Sequence, residues 1–366
     1  MGRAIDLALG PPFTSPNPRV GAVVVRGGRV ISEAAHEGAG TAHAEARALE
    51  GVDARGATLY VSLEPCMHTG RTPPCAPAIV AAGVTRVVGA MEDPDERTRG
   101  KGFDYLEGCD VEVTTGVLHD AAARINARWS HQRRTGRPFV TLKLALSIDG
   151  RMAAPDGSAR WITGPAARAR VHSRRGEADA VMVGAGTVVA DDPGLTVRDA
   201  GAIRQPATVV VDGRGRISAG ARLFGNDQVV VATTAVTPQG TLDDWDDVGA
   251  EVIVLPPSPG GVDLGALLDA LGGKATARHD FVEVYCEGGA ALATSLLADD
   301  LVDRLEIFFG PVALGAGGPA LGPLGIGSLP SARRWRLVDL ERIDDDALAV
   351  YEKDQPERTS ECSPES

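Results

Sequence analysis

The chain has 366 residues, 43% of them hydrophobic, 4% aromatic and 45 of them glycine, with a formal net charge of -12. That length predicts two domains with a core each, and the composition an alanine-, valine- and glycine-rich α/β protein. The acidic balance disfavours a nucleic-acid partner, because a polyanion would be repelled, and no apolar run reaches the eighteen or so residues of a membrane span.

In chain order, Ile5, Leu7 and Leu9 predict a helix over residues 1–9, which Gly10-Pro11-Pro12 stops. Asn17 lies in the rigid turn of residues 14–18, where its amide either reads a heterocycle or caps the turn. Residues 20–25 and 30–32 read as a hairpin. A helix at His43, a strand over 57–63, a helix over 75–83 and strands over 85–90 and 110–114 follow, with a charged loop at 93–102. This alternation implies a sheet with parallel members. Residues 1–116 thus make a first domain, 117–137 a helical connector ending at Gly136-Arg137-Pro138, and 138–353 a second domain. Its expected strands are 140–146, 179–183, 207–211, 228–231, 251–255, 281–285 and 305–309. The polar residues 354–366 are read as a disordered tail.

The chemistry of the first half rests on His43-Ala44-Glu45 and Pro65-Cys66, with Cys75 nine residues beyond Cys66. One imidazole and two thiolates suit zinc, and three protein ligands leave a fourth position for water. Zinc lowers the pKa of such a water, and Glu45 can carry its proton to a departing amine, which is hydrolytic deamination of a nitrogen heterocycle. The general zinc-deaminase pattern is His-x-Glu followed by Pro-Cys-x-x-Cys. Here residues 67–74 stand between the two cysteines. Cys75 opens the expected helix, whose N-terminus favours a thiolate. A structural site closed by His68 is the competing reading. Residues two apart on a helix point about 200° apart, so periodicity alone does not bring His43 and Glu45 together.

In the second half, Gly184-Ala185-Gly186-Thr187 and Glu287-Gly288-Gly289 each follow a strand and precede a helix, where a cofactor phosphate could be cradled. Neither completes a Gly-x-Gly-x-x-Gly fingerprint, and each is weak alone. Arg175 and Arg198 could pair a substrate phosphate or simply be solvated. The remaining cysteines, Cys109, Cys286 and Cys362, show no disulfide spacing, and the N-terminal stretch lacks a signal sequence, so a cytoplasmic protein is expected.

Taken together, Pro16-Asn17-Pro18, Val20-Gly21, His43-Ala44-Glu45 and residues 63–75 resemble the deaminase half of the bifunctional riboflavin-biosynthesis deaminase/reductase family. Its reductase half is matched by residues 142–150, Trp161-Ile162-Thr163, 183–198 and Glu287-Gly288-Gly289, so that the resemblance runs over about residues 1–352. It implies a cytidine-deaminase-like three-layer α/β/α domain followed by an α/β domain similar in fold to dihydrofolate reductase. It further implies one zinc on His43, Cys66 and Cys75, Glu45 as proton shuttle, and Asn17, His36, His68 and Arg71 around the substrate. The substrate would be the diaminopyrimidinone ribosylamine phosphate obtained by opening GTP. In the second site NADPH would reduce its ribosyl group to ribityl. Ala145, Trp161, Thr187, Asp191, Gly289, Ala290, Ala291, Leu292, Ala293, Thr294 and Ser295 would meet the cofactor, and Arg175, Leu195, Arg198 and Glu287 the substrate. The resemblance also implies a homo-oligomer, a dimer or tetramer, with no nucleic-acid or membrane partner. Four positions depart from the family's usual residues: Ala35, Met67, Ala159 (beside Ser158) and Gly213. The alternatives are a paralogous pyrimidine deaminase with a weakened reductase, and a non-catalytic zinc-stabilised binding module.

Overall fold

The computed structural model describes residues 1–67, 73–198, 204–273 and 279–353. The expected tail at 354–366 lies outside these residues, as do His68 and Arg71. The chain divides into two compact units, Met1–Phe139 with Leu268–Glu283, and Val140–Leu267 with Val284–Ser366.

In the first unit, α1 (Gly2–Leu9) precedes the hairpin β1 (Gly21–Arg26) and β2 (Arg29–Ala35), then α2 (Ala44–Leu49) and β3 (Thr58–Val61). They are followed by α3 (Cys75–Ala81), β4 (Arg86–Gly89), α4 (Lys101–Gly108), β5 (Glu112–Thr114), α5 (His119–Ile125) and α6 (Ala127–Thr135). The sheet order is β2-β1-β3-β4-β5, antiparallel across β2-β1-β3 and parallel across β3-β4-β5. Its core holds Val24, Leu59, Val61, Ile79 and Leu106, all fully buried. Two glycines set how closely helices approach. A Cβ on Gly21 would stand 2.0 Å from the Ala4 carbonyl oxygen of α1, and one on Gly89 2.4 Å from the Phe103 ring of α4.

Two expectations change here. The buried face of α1 is Ala4, Ile5 and Ala8, whereas Leu9 is exposed, because a helix groups residues three and four apart rather than two. The single connector helix is two, broken at Asn126, whose side chain accepts the Arg19 N–H at 2.8 Å and donates to the Arg19 carbonyl at 2.9 Å. A buried side chain that pairs with a neighbouring backbone competes with helix continuation.

The second unit is built on a nine-stranded sheet. Its elements are β6 (Phe139–Ser147), β7 (Arg151–Ala153), α7 (Pro165–Glu177), β8 (Ala180–Gly184), α8 (Ala185–Asp191), β9 (Ala207–Val211), β10 (Val229–Thr234), α9 (Gln239–Asp247) and β11 (Glu251–Leu255). After the small hairpin β12 (Pro257–Ser258) and β13 (Gly261–Val262) come α10 (Leu264–Leu271), whose residues 268–271 fall in the first unit, β14 (Glu283–Cys286), α11 (Ala290–Ala298), β15 (Arg304–Gly310), β16 (Gly318–Pro319), β17 (Trp335–Ile343) and β18 (Asp346–Lys353). The order is β11-β10-β9-β8-β14-β6-β15-β18-β17. Strands β11, β10, β9, β8 and β14 run parallel, as do β6 and β15, and the sequence pattern anticipates all seven. The antiparallel pair β17-β18 extends the sheet beyond them. Its outer member, Trp335-Arg-Leu-Val-Asp-Leu-Glu-Arg-Ile343, is mostly exposed, which is why it lacks the apolar run of an inner strand. Parallel strands direct their carboxyl ends, and the loops after them, to one edge of the sheet.

Candidate active sites

His43 precedes α2 as its N-cap, with an extended backbone (φ -66°, ψ 157°). It is therefore free of the helical geometry that would turn it away from Glu45 in the first turn. Cys66 follows β3, and Cys75 is the first residue of α3. The backbone N–H of Cys75 donates to Cys66 Sγ at 3.3 Å. His43 Nδ1 lies 3.2 Å from Cys75 Sγ and 3.5 Å from Cys66 Sγ, and the three donor atoms all fall within 4.8 Å of one another. One nitrogen and two sulfurs converging at this spacing fit a zinc ion. The hydrogen bond from Cys75 draws the Cys66 thiol well below its usual range, and the same bond pushes Cys75 up. Glu45 is buried, and burial raises its carboxyl to about 7.

A cavity of about 540 Å³ lies over this group, and Asn17, His36, Glu64, Asp93 and Trp129 are among the residues that line it. The His36 ring is buried, with Nδ1 3.2 Å from the Ala42 carbonyl and Nε2 3.0 Å from Asn17 Nδ2. Burial lowers its pKa. The neutral ring thus donates from Nδ1 and accepts from Asn17, which fixes the amide and leaves its oxygen for the cavity. The buried carboxylate of Glu64 accepts the backbone N–H groups of Asp93, Gly100 and Gly102 at 2.9, 3.0 and 2.8 Å. It thereby shapes the charged loop that brings Asp93 and Asp95 to the cavity wall. Sequence reasoning marked this loop only as charged; its signal was the unpaired glutamate inside Leu63-Glu64-Pro65-Cys66.

In the second unit, Glu287 follows β14, and Arg175 of α7 grips it with a two-pronged ion pair, one prong Nη2 to Oε2 at 2.9 Å. Arg175 Nη1 also donates to the Thr196 carbonyl at 3.0 Å. Its guanidinium is thus mainly taken up by the protein. Burial raises the Glu287 carboxyl, but Arg175 overcomes this and holds it below the usual range. Burial lowers the ammonium of Lys143 on β6, whose charge acts on Glu287. Lys143 was missed as a site candidate, although a lysine inside Leu142-Lys143-Leu144 of an inner strand is itself a signal. Thr187, in the first turn of α8, accepts the Gly289 N–H at 3.2 Å, and a Cβ on Gly289 would lie 2.9 Å from that hydroxyl. The two glycine-bearing turns thus meet in a close cradle at the carboxyl edge, which fits a cofactor phosphate.

Of the other expected cofactor residues, Ala145 is half-buried on β6, and Trp161 is exposed with the Arg168 guanidinium 4.4 Å from its ring. Asp191 ends α8 and receives Arg160 at 3.3 Å. Gly289 caps α11, which contains Ala290, Ala291, Leu292, Ala293, Thr294 and Ser295. Leu292 and Ala293 turn their side chains into the core. Leu195 is buried at φ +52°, and Arg198 is exposed. The Ser158 hydroxyl donates to Asp156 at 2.7 Å.

A zinc-deaminase site on one α/β unit and a cofactor cradle on a second, mostly parallel sheet define a two-activity enzyme, a hydrolytic deaminase joined to a reductase. Residues 1–91 match the cytidine and deoxycytidylate deaminase zinc-binding region, and residues 138–349 the RibD C-terminal domain. The chain belongs to the RibD family of riboflavin-biosynthesis enzymes. It is 39% identical to riboflavin biosynthesis protein RibD of Haemophilus influenzae, with 96% of each chain covered. Against its Escherichia coli counterpart the identity is 36%, over 94% of this chain and 96% of that one. RibD of Acinetobacter baumannii superposes with a TM-score of 0.87 at 36% identity, covering 97% and 98% of the two chains. The Thermotoga maritima diaminohydroxyphosphoribosylaminopyrimidine deaminase/5-amino-6-(5-phosphoribosylamino)uracil reductase does so with 0.83 at 33%, covering 96% and 97%. This chain is accordingly a bifunctional zinc-dependent deaminase and NADPH-dependent reductase of riboflavin biosynthesis. No described helix is long and apolar enough to cross a membrane.

Proposed function

We propose that the chain removes the ring 2-amino group of 2,5-diamino-6-(5-phosphoribosylamino)pyrimidin-4(3H)-one and then reduces the ribosyl group of the deaminated product to ribityl. The observation that carries this reading is the buried Glu45 carboxylate beside the converging donors of His43, Cys66 and Cys75, at a cavity sized for a small heterocycle. His43, Cys66 and Cys75 would hold the zinc, which would supply Lewis acidity that brings a water's pKa towards neutrality. Glu45 takes the proton and delivers it to the amine, so that ammonia leaves and the water oxygen remains on the ring. Asn17, oriented by His36, hydrogen-bonds the heterocycle.

Bound in the second site, NADPH would supply the hydride that reduces the sugar carbonyl carbon, with a proton going to the carbonyl oxygen. Thr187, Asp191, Trp161 and Ala145 would hold the cofactor together with the backbone of residues 289–295, since the Leu292 and Ala293 side chains are buried in the core. Arg198 holds the substrate's phosphate. Arg175 positions Glu287, and Leu195 shapes the turn beside them. The deaminase domain is assigned to residues 1–116, the connector to 117–137 and the reductase domain to 138–353. A homo-oligomer, dimer or tetramer, is part of this reading, as is a cytoplasmic location, the latter supported by the relatives' role as biosynthetic enzymes.

The test follows ammonia release and NADPH oxidation in one tube, with the zinc-replete chain and the GTP-derived pyrimidine. Both signals, ammonia first, are expected. Ammonia without NADPH loss would reject the reductase half of the proposal, and neither signal would reject the substrate assignment.

A further inference from the structure

Two groups of side chains line the deaminase cavity. His43, Cys66, Glu45, Asn17 and His36 make one, and Asp95, Arg97, Arg133 and Asp280 make the other. A neutral heterocycle engages the first group and has no use for the ion pairs of the second. All four charged residues belong to the first unit, since Asp280 lies in the stretch 268–283 that packs with it. Arg97 is mostly exposed, and its Nε donates to the two carboxylate oxygens of Asp95 at 2.9 and 3.1 Å. It is therefore committed to its neighbour.

Arg133, on α6, is held differently. Gln132 Nε2 donates to the Gly272 carbonyl at 2.9 Å and to Asp280 Oδ1 at 2.8 Å, which fixes the carboxylate. Arg133 Nη2 donates to both oxygens of that carboxylate, at 3.1 and 3.0 Å, so a single nitrogen serves the ion pair. Its Nε is buried and has no hydrogen-bonding partner among the described residues, on a side chain that is 25% exposed. Arg133 also acts on Asp95, whose carboxyl is held low, at about 2, first by Arg97 and more weakly by Arg133. A buried N–H without an acceptor carries a desolvation cost, and an anion entering the cavity removes it. A phosphate monoester offers about -1.5 to -2 charges at neutral pH and three acceptor oxygens. Because Asp280 already orders the guanidinium, little side-chain freedom is lost when such a group arrives.

We propose that Arg133, ordered by Asp280 and Gln132, takes the phosphate of the pyrimidine substrate in the deaminase cavity and makes the first step selective for the phosphorylated form. The assignment rests on the phosphoribosyl-pyrimidine reading of that cavity. Ammonia release by the full-length, zinc-replete chain, without NADPH, tests it on the GTP-derived pyrimidine and on the same compound after phosphatase treatment. Arg133→Ala should raise KM for the phosphorylated pyrimidine about 10–100-fold, as for loss of one charge-assisted contact, with kcat nearly unchanged. The dephosphorylated compound should be turned over alike by variant and parent. Arg133→Lys, which keeps the charge, should recover part of the loss, and zinc content and unfolding midpoint should match the parent. Ribose 5-phosphate should inhibit the parent competitively where ribose does not, and Arg133→Gln should lose that inhibition, a readout that stands if the alanine variant fails to fold. Equal loss on both substrates, no loss on either, or a parent indifferent to the phosphate would overturn the role of Arg133 while deamination stands. A parent chain that releases ammonia from neither pyrimidine would instead overturn the substrate reading, and this assignment with it.

Discussion

Replacing Glu64 with alanine tests whether the loop over the deaminase cavity depends on a single carboxylate. Glu64 is 6% exposed and accepts three backbone N–H groups, from Asp93, Gly100 and Gly102, all within 3.0 Å. Alanine leaves these donors without an acceptor, and each buried orphan costs about 1–3 kcal/mol. Some regain water as the loop opens, so a net loss of about 3–5 kcal/mol is expected for the first unit, which corresponds to about 10 °C in its unfolding midpoint. Glu64→Gln should fall between, since its one amide oxygen cannot serve three donors. Differential scanning calorimetry reads the midpoint, and ammonia release should fall with it because Asp93 and Asp95 leave the cavity wall. NADPH binding, in the other unit, should persist. A Glu64→Ala chain that melts within about 2 °C of the parent and releases ammonia at the parental rate would refute this account.

Glu45→Gln should keep zinc stoichiometry by elemental analysis yet lose about 10²–10⁴-fold in ammonia release; unchanged turnover would remove Glu45 as the proton carrier. Cys75→Ser should lower zinc content and abolish deamination, while NADPH oxidation continues when the deaminated pyrimidine is supplied. Arg175→Ala leaves Glu287 buried and unpaired, so reductase turnover should collapse and the second unit lose about 3 kcal/mol, measured by urea unfolding. The ion pair also makes stability depend on pH. Glu287 is held below its usual pKa, so the contribution is present above the unfolded carboxyl's value of about 4.3 and is lost as pH falls through the depressed folded value. Arg175→Ala should flatten that acid limb, and an unchanged limb would sink the argument.

Much of the fold is written locally. The runs 207–211 and 251–255 coincide with β9 and β11, because both are short, mostly apolar, β-branched stretches bounded by turns. The mostly exposed strand β17 escaped that reading. So did the break at Asn126, since its cause is Arg19, 107 residues away.

The same division holds for the sites. Donor chemistry is a property of residue type and spacing, so His43, Cys66, Cys75 and Glu45 were legible in the sequence as a zinc-deaminase set. Their convergence was not, because two residues on one helix diverge; it depends on His43 standing outside α2 as its extended cap. Likewise Arg175 and Glu287 each read as a candidate alone, and only the folded sheet joins them into an ion pair across 112 residues. Sequence determined which groups can ligate, carry protons or hold charge, since these are covalent properties. Tertiary structure decided which are buried, paired or left facing a cavity, since burial and pairing depend on groups that the chain brings together from far apart.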